Sequence, residues 1–509
     1  MLRATYGPYA REKLLVDHIG TGYVTNQGSK ILEELQVDNP VAKMLVESFD
    51  FSGTYADGAT FGVLLASELL GEGEELIEEG VSPVDVVRGF DGATGVAIEG
   101  MADIAVPLEL TELEQTALVT TATAARGGFH DEQIEHLRRV VLDTAAVLEP
   151  SVSMDVIDIE EEIRLNVESS RVVQGTVLRA DPPRDDMPRD VVDADVLVLS
   201  EAVTEPEPDD LLEDTNFSFS GADAVAGAVD WGEQWVDGRV AAILDSGADV
   251  VVCEGHLDSG VIAELAKAGV LAFHELTEEK IERVHRAVGG TAVPPDGIED
   301  ATLGYAGRVT VTNVGAGTIR GVVIADCPET TTATIVLNAG TSSGAGLAKR
   351  IIVQGLGTLV AAHEDPRAIP GGGAAEMEAA RSVRGAAPGI EGPAQLAAEA
   401  YADALEATVG QLIRNAGRDP LDGLPELKRA HAAGTEDAAI DLDTGELTSA
   451  YEVGIIEPFA VKRQALTTAS EFAVSLLRID ALLPAGDGES PDIAGLDQAS
   501  PTPSGTWGK

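Results

Sequence analysis

Aromatic residues make up only 4% of this sequence, basic residues number 34, and there are two cysteines. Two cysteines, Cys253 and Cys327, cannot build a disulfide framework, and without a CxxC pair they do not have zinc-ribbon spacing either. No run of 18 uninterrupted apolar residues occurs, so no membrane-spanning helix is expected. The first residues, MLRATYGPYAREKLL, lack the apolar core of a secretory leader. A soluble, cytoplasmic protein is expected. The scarcity of Lys and Arg stands against 87 Asp and Glu, a formal net charge of -53. Such a surface repels nucleic acid and anionic membranes. It also repels itself at a Debye length of roughly 10 Å, a cost that molar salt removes by shortening that length to roughly 3 Å. Because the acidic residues are spread along the chain, a halophilic protein is expected rather than one with an acidic tail.

What is present is ample core material: 44% of residues are hydrophobic, with Val, Leu, Ile and Ala in place of rings. A chain of 509 residues is too long for one core and should divide into several domains. The N-terminal third reads mainly as helix, with Asn39-Pro40 as a cap and first turn, a helix over about 60–76, and another carrying Val84 to Ile98. Beyond residue 130, helical stretches alternate with short β-branched runs such as RVVQGTVL, ADVLVLS and ADVVVCEG. That order predicts a compact α/β unit over roughly 180–330. TEPEPDDLLEDTN reads as an extended acidic connection. After IPGGGAAE the chain returns to helix in PAQLAAEAYADALEATVGQLIRNAG and AVKRQALTTASEFAVSLLRIDALL. Helical ends around an α/β middle suggest a nested design, with one domain inserted into another.

Glycine turns before helices are the main candidates for chemistry. They occur at Thr5-Tyr6-Gly7-Pro8 and Ala56-Asp57-Gly58-Ala59-Thr60, where exposed N–H groups suit phosphates and Asp57 suits Mg²⁺. The same residue types also serve as ordinary turns and caps. Gly371-Gly372-Gly373 permits close approach to a ligand, or a hinge. Neither a P-loop nor GxGxxG is present, and no GxSxG elbow occurs. The histidines, among them His130, His136, His256, His274 and His285, match no metal spacing in sequence and read as solvated or packed. Trp231 and Trp235 stand one helical turn apart, forming either a local core or a sticky surface for exposed apolar segments.

Ten runs in order carry a family resemblance: EKLLVDHIG, NPVAKMLVE, ADGAT, SPVDVVRGF, GADVVVCEG, AKAGVLAFHEL, IPGGGAAEMEAA, NAGRDPLD, DLDTGEL and GIIEPFAVKRQAL. The chain resembles the group II chaperonins, the thermosome and its eukaryotic cytosolic relatives, over nearly its whole length. The resemblance implies an α/β multidomain fold. A helical equatorial domain would combine 1–112 with 372–509, including a mobile tail. A hinge-like intermediate domain would combine 113–178 with 331–371, and an α/β apical client-binding domain would fill 179–330 with a helical protrusion near 215–245. It implies ATP and Mg²⁺ as cofactors, with K⁺ as a further candidate. Partners would be paralogous subunits in a double ring of eight or nine per ring, and unfolded protein clients held by a surface that includes Trp231 and Trp235.

Carried over residue by residue, the resemblance assigns nucleotide contacts to Gly7, Pro8, Gly58, Thr60, Gly371, Gly372, Gly373 and Glu457, and metal to Asp57. Departures stand beside these matches. Tyr9 and Ala10 replace the Lys and Gly of GPxG-containing relatives, and Ala56 and Ala59 alter GDGTT. The family's TNDG is Thr25-Asn26-Gln27-Gly28 here, and the Asp of its RSIHDAL-like helix falls at Gln354. A nucleotide-sensing hinge lysine is matched by Arg126 only with a one-residue shift. A carboxylate can deprotonate an attacking water, whereas an amide is a very poor base. The resemblance thus implies Asp57, Gln27 and Gln354 as the catalytic positions, two of them substituted. The expected function is a chaperone subunit that binds ATP and unfolded protein with impaired hydrolysis. The alternatives are a fully active ATP-driven chaperonin and a non-catalytic scaffold of the same fold.

Overall fold

A computed structural model describes residues 2–16, 22–26, 28–34, 39–49, 58–125, 127–150, 152–163, 165–205, 222–314, 319–327 and 332–479. Gln27, Asp57, Arg126, most of the acidic 204–216 connection and the C-terminal tail lie outside the described residues, as does 215–221 of the expected protrusion.

The helices expected from apolar periodicity form where their caps place them. Asn39 accepts from the Val41 amide at 2.9 Å and Pro40 opens the helix Pro40–Ser48. Ser82 and Pro83 start Pro83–Asp103 in the same way. Thr111 and Glu114 close a capping box on Glu112–Ala122. The N-terminal third is not all helix, however. Lys13–Val16 and Gly22–Thr25 pair antiparallel as a hairpin. Leu14 and Val16 are exposed on it, so the strand lacks the apolar-in, polar-out pattern by which sequence reveals a half-buried strand.

The largest apolar cluster joins the two ends of the chain. Leu65 and Leu69 of Ala59–Glu78, Phe90 of Pro83–Asp103, Tyr401 of Ala394–Asn415 and Phe472 of Phe459–Leu477 all belong to it. Glycine and alanine allow the close approach. A Cβ on Gly89 would lie 2.5 Å from the Ala394 carbonyl and from Ala397. A second cluster packs 178–327, and a third joins Val119 to Val172 with Ala333 to Val360.

The α/β middle is built on a nine-stranded sheet with one surprise in its extent. Its order is Ile157–Ile163, Ala333–Ala339, Arg171–Leu178, Ile319–Ala325, Gly304–Val314, Asp190–Leu199, Val250–Cys253 and Leu271–Phe273, with Ala292–Val293 also on Asp190–Leu199. The expected parallel unit is its last part, where Asp190–Leu199, Val250–Cys253 and Leu271–Phe273 run parallel with helices between them. The sheet continues past residue 178 because Arg171–Leu178 pairs at its start with Ala333–Ala339 and at its end with Ile319–Ala325. Trp231 and Trp235 lie on the helix Ala222–Ser246, both partly buried. Trp235 packs against the second cluster, its ring 5.8 Å from the Arg239 guanidinium. The helix Ser342–Glu364 is long and apolar enough to cross a membrane by composition, yet 72% of its apolar window is buried inside the fold. Cys253 and Cys327 are buried and form no disulfide.

Candidate functional site

Two helices begin at left-handed glycines that provide no side-chain cap. Gly58, at φ 87°, precedes Ala59–Glu78, and Gly373, at φ 90°, precedes Ala374–Ala386. Helix N-termini carry amides with no intrahelical acceptor and a positive dipole end, so both are suited to phosphate oxygens. Space as well as φ requires glycine at Gly373, since a Cβ there would lie 2.8 Å from Val409. One turn further along the same helix, Leu412 packs against Gly7, and Asn415 Nδ2 donates to the Tyr6 carbonyl at 2.8 Å. The first glycine turn, with the exposed Pro8, is thereby held beside the triple glycine.

Glu457 comes from the short strand Ile456–Pro458, which pairs with Arg367–Pro370 so that Glu457 faces Ile369. Gly371 continues that pairing by donating its amide to the Ile455 carbonyl at 2.9 Å. A Cβ on Gly371 would sit 3.0 Å from Glu457 Oε1, so carboxylate and triple glycine share one wall.

Lys462 ties these pieces together, although no local sequence pattern singles it out. Its Nζ lies 2.6 Å from Glu376 Oε1, 2.8 Å from Glu457 Oε2 and 4.4 Å from the centre of the Phe61 ring. The side chains of Lys462 and Glu376 are 7% and 2% exposed. Burial pulls the ammonium pKa down, but Glu376, Glu457 and Tyr6 outweigh it and raise it well above the usual lysine value. Lys462 is therefore a fixed cation. It links the helices that follow Gly58 and Gly373 and holds Glu457 in place.

The turn after Gly22–Thr25 joins the site from a third side. A Cβ on Gly28 would overlap Thr60 Oγ1, so Gly28 lies directly against the helix that Gly58 opens. Arg350 Nη1 donates to Asn26 Oδ1 at 2.8 Å, and both residues are buried. Gln354 follows Arg350 by one turn on Ser342–Glu364 and is partly buried. Helical spacing puts both on one face. The structure thus brings together Gly7, Gly58, Thr60, Gly371, Gly372, Gly373 and Glu457, and joins the helix that carries Gln354 to Asn26 through Arg350. Trp231 and Trp235 belong to the separate α/β unit. At the first turn, Tyr9 donates its hydroxyl to Asp443, and that bond leads burial and the neighbouring acids in raising the Tyr9 pKa.

An anionic ligand that also carries hydroxyl groups fits this set. The uncapped glycine-led amides suit phosphates, and an accessible carboxylate beside a glycine wall suits sugar hydroxyls.

Comparison with known proteins identifies the family. The model of the TCP-1/cpn60 chaperonin family matches residues 1–487. Thermosome subunit 2 of Haloferax volcanii is 36% identical over 495 residues, covering 96% of this chain and 87% of that protein. Thermosome subunit alpha of Halobacterium salinarum is 32% identical, covering 96% and 86%. A thermosome subunit of Methanopyrus kandleri is 32% identical, covering 95% and 89%. Matches of this length and identity, running through every segment of the site, place the chain in the TCP-1/cpn60 chaperonin family.

Proposed function

We propose that this chain is a thermosome-type subunit of the salt-rich cytoplasm that binds ATP and unfolded protein within a double ring, and that its own hydrolysis is impaired. Three apolar cores, one built from both chain ends, support the nested division into equatorial, intermediate and apical parts. Gly58 would receive the phosphates, Gly371 to Gly373 and Glu457 would lie at the ribose, and Asp57 would hold the metal. Bound ATP supplies the free energy of ring closure. The chain's residues bind it, orient it and present, or fail to present, a proton acceptor to the attacking water.

The contact from Arg350 to Asn26 carries the impairment reading. It seats the helix that carries Gln354 against Asn26, the residue before Gln27 in sequence, and related chains place aspartates at the positions of Gln27 and Gln354. Uncharged amides at both positions orient water but do not take its proton. Each lost catalytic group costs roughly 10²–10⁴-fold. Competent paralogues in the same ring would then drive closure, while this subunit adds client surface, including Trp231 and Trp235.

The test is phosphate release by the purified chain in molar KCl, alone and mixed with paralogues, alongside nucleotide titration. Slow release is expected despite measurable ATP binding. Gln27→Asp combined with Gln354→Asp should raise release by at least ~10²-fold. Rapid release by the unaltered chain, or no gain in the double variant that still binds nucleotide, would overturn the reading.

A further inference from the structure

We infer that the α/β unit carries a divalent transition-metal site of the Zn²⁺ class, formed by His256, His274 and Glu275. Their ligand atoms all lie within 4.8 Å of one another. His256 follows Val250–Cys253, and His274 and Glu275 follow Leu271–Phe273. These strands are adjacent and parallel, so the three side chains gather at their carboxyl ends, the edge at which sheets of this kind bind ligands.

The backbone of the cluster is fixed from both sides. Glu275 donates its amide to the Gly255 carbonyl at 2.8 Å, and Leu276 donates to Cys253 at 3.4 Å. Glu275 itself adopts φ 55°, a left-handed conformation rare for a residue with a long side chain. That conformation turns its carboxylate toward His256, leaving Oε1 3.3 Å from His256 Nδ1. Bonds of ~2.1 Å in a tetrahedron separate ligand atoms by about 3.4 Å, so this edge already has the required length. The two imidazole rings sit 5.3 Å apart, tilted by 58°. The Leu257 amide donates to His274 Nδ1 at 3.4 Å, a long and weak bond that either gives way to a metal at Nδ1 or persists with a change of tautomer or ring rotation. His256 and Glu275 are exposed, so their side chains are free of packing that would prevent them from closing on a metal.

Two imidazoles and one carboxylate form a donor set that selects Zn²⁺, Ni²⁺ or Cu²⁺ over Mg²⁺ and Ca²⁺, which prefer oxygen. Three protein ligands leave a fourth position for water or an incoming donor. This chemistry separates the cluster from the chain's many carboxylates, which attract hard cations without a built site.

Full-length chelator-treated protein in molar KCl, with millimolar Mg²⁺ to occupy carboxylates, is titrated with Zn²⁺ against a chromophoric competitor and with Co²⁺ by visible absorption. One Zn²⁺ per chain is expected, with a tetrahedral Co²⁺ spectrum. His256→Gln and Glu275→Gln, both at exposed positions, should each weaken Zn²⁺ by more than the ~10–100-fold typical of changes outside the ligand shell. His274→Gln should do the same, and the remote His363→Gln should bind as the parent does. Equal Zn²⁺ affinity in the parent and the His256→Gln and Glu275→Gln variants, or displacement of Zn²⁺ by Mg²⁺, would overturn the assignment.

Discussion

Replacing Lys462 with Met tests how the candidate nucleotide site is held together. The substitution keeps an unbranched chain against Phe61 and removes the charge 2.6 Å from Glu376 and 2.8 Å from Glu457. Glu457 is 28% exposed, so water compensates much of its loss. Glu376 is 2% exposed, and its second oxygen, Oε2, already lacks a hydrogen-bond partner among the described residues. The loss therefore falls on Glu376. Stranding one member of a buried pair costs about 3–5 kcal/mol, since the remaining charge loses its partner without regaining water. At 1.4 kcal/mol per tenfold, protection of the amides in Ala374–Ala386 and Phe459–Leu477 should fall roughly a hundred- to several-thousandfold. Hydrogen exchange suits a chain of several cores better than a single melting midpoint. The loss should change little with KCl concentration, because mobile ions do not reach a buried pair. Adding Glu376→Gln should restore much of the protection, since an uncharged amide needs no counter-ion. A loss under tenfold, or a double variant as unprotected as Lys462→Met alone, would refute the reasoning.

Acid stability should depend on Glu378, which is 2% exposed and accepts from Arg381 Nε at 2.8 Å and faces His431 Nδ1 at 3.1 Å. Burial pushes this carboxyl up, but Arg381 and His431 outweigh it and hold it below the usual glutamate range. Its contribution is complete above an unfolded value of about 4.3 and is lost as pH falls through the lower folded value. Glu378→Gln should thus flatten the acid limb of a circular-dichroism titration, and identical limbs would count against the pairing. For the tryptophans, Trp231→Ser should weaken capture of a chemically unfolded client while rings still assemble. Trp235→Ser should also loosen the helix Ala222–Ser246, because that ring packs on the core. Unchanged capture in both variants would return the pair to a packing role.

The helices were legible because their signals are local. Asn39-Pro40, Ser82-Pro83 and the apolar periodicity of 59–78 and 394–415 each lie within a few turns of what they specify. The hairpin at 13–25 was not, since four-residue strands with exposed Leu14 and Val16 show no burial pattern. The continuation of the sheet beyond residue 178 depends on pairings between Arg171–Leu178 and strands about 150 residues away, which no local run encodes. The glycine turns of the site could be read directly. Their organisation could not. Lys462 meets Glu376 across 86 residues, and Arg350 meets Asn26 across 324. His256 and His274 match no helical or CxxC-like spacing, and adjacent parallel strands alone bring them together.

The placement of the scarce cations explains how so acidic a chain can keep packed cores. Buried carboxylates receive protein partners. Glu376 has Lys462, Glu378 has Arg381, and Glu406 has both Arg384 at 2.7 Å and Lys428 at 2.6 Å. Burying an unpaired carboxylate would cost several kcal/mol, far more than leaving one exposed and screened by salt. With 34 basic residues for 87 acidic ones, only a minority of carboxylates can be matched this way. Exposed acids such as Glu74, Glu75, Glu78 and Glu79 lie where mobile cations can reach them. Salt should therefore govern the repulsion between exposed acids and leave the internal pairs nearly untouched. It follows that the two contributions are separable, and a substitution such as Lys462→Met acts on the one that salt cannot replace.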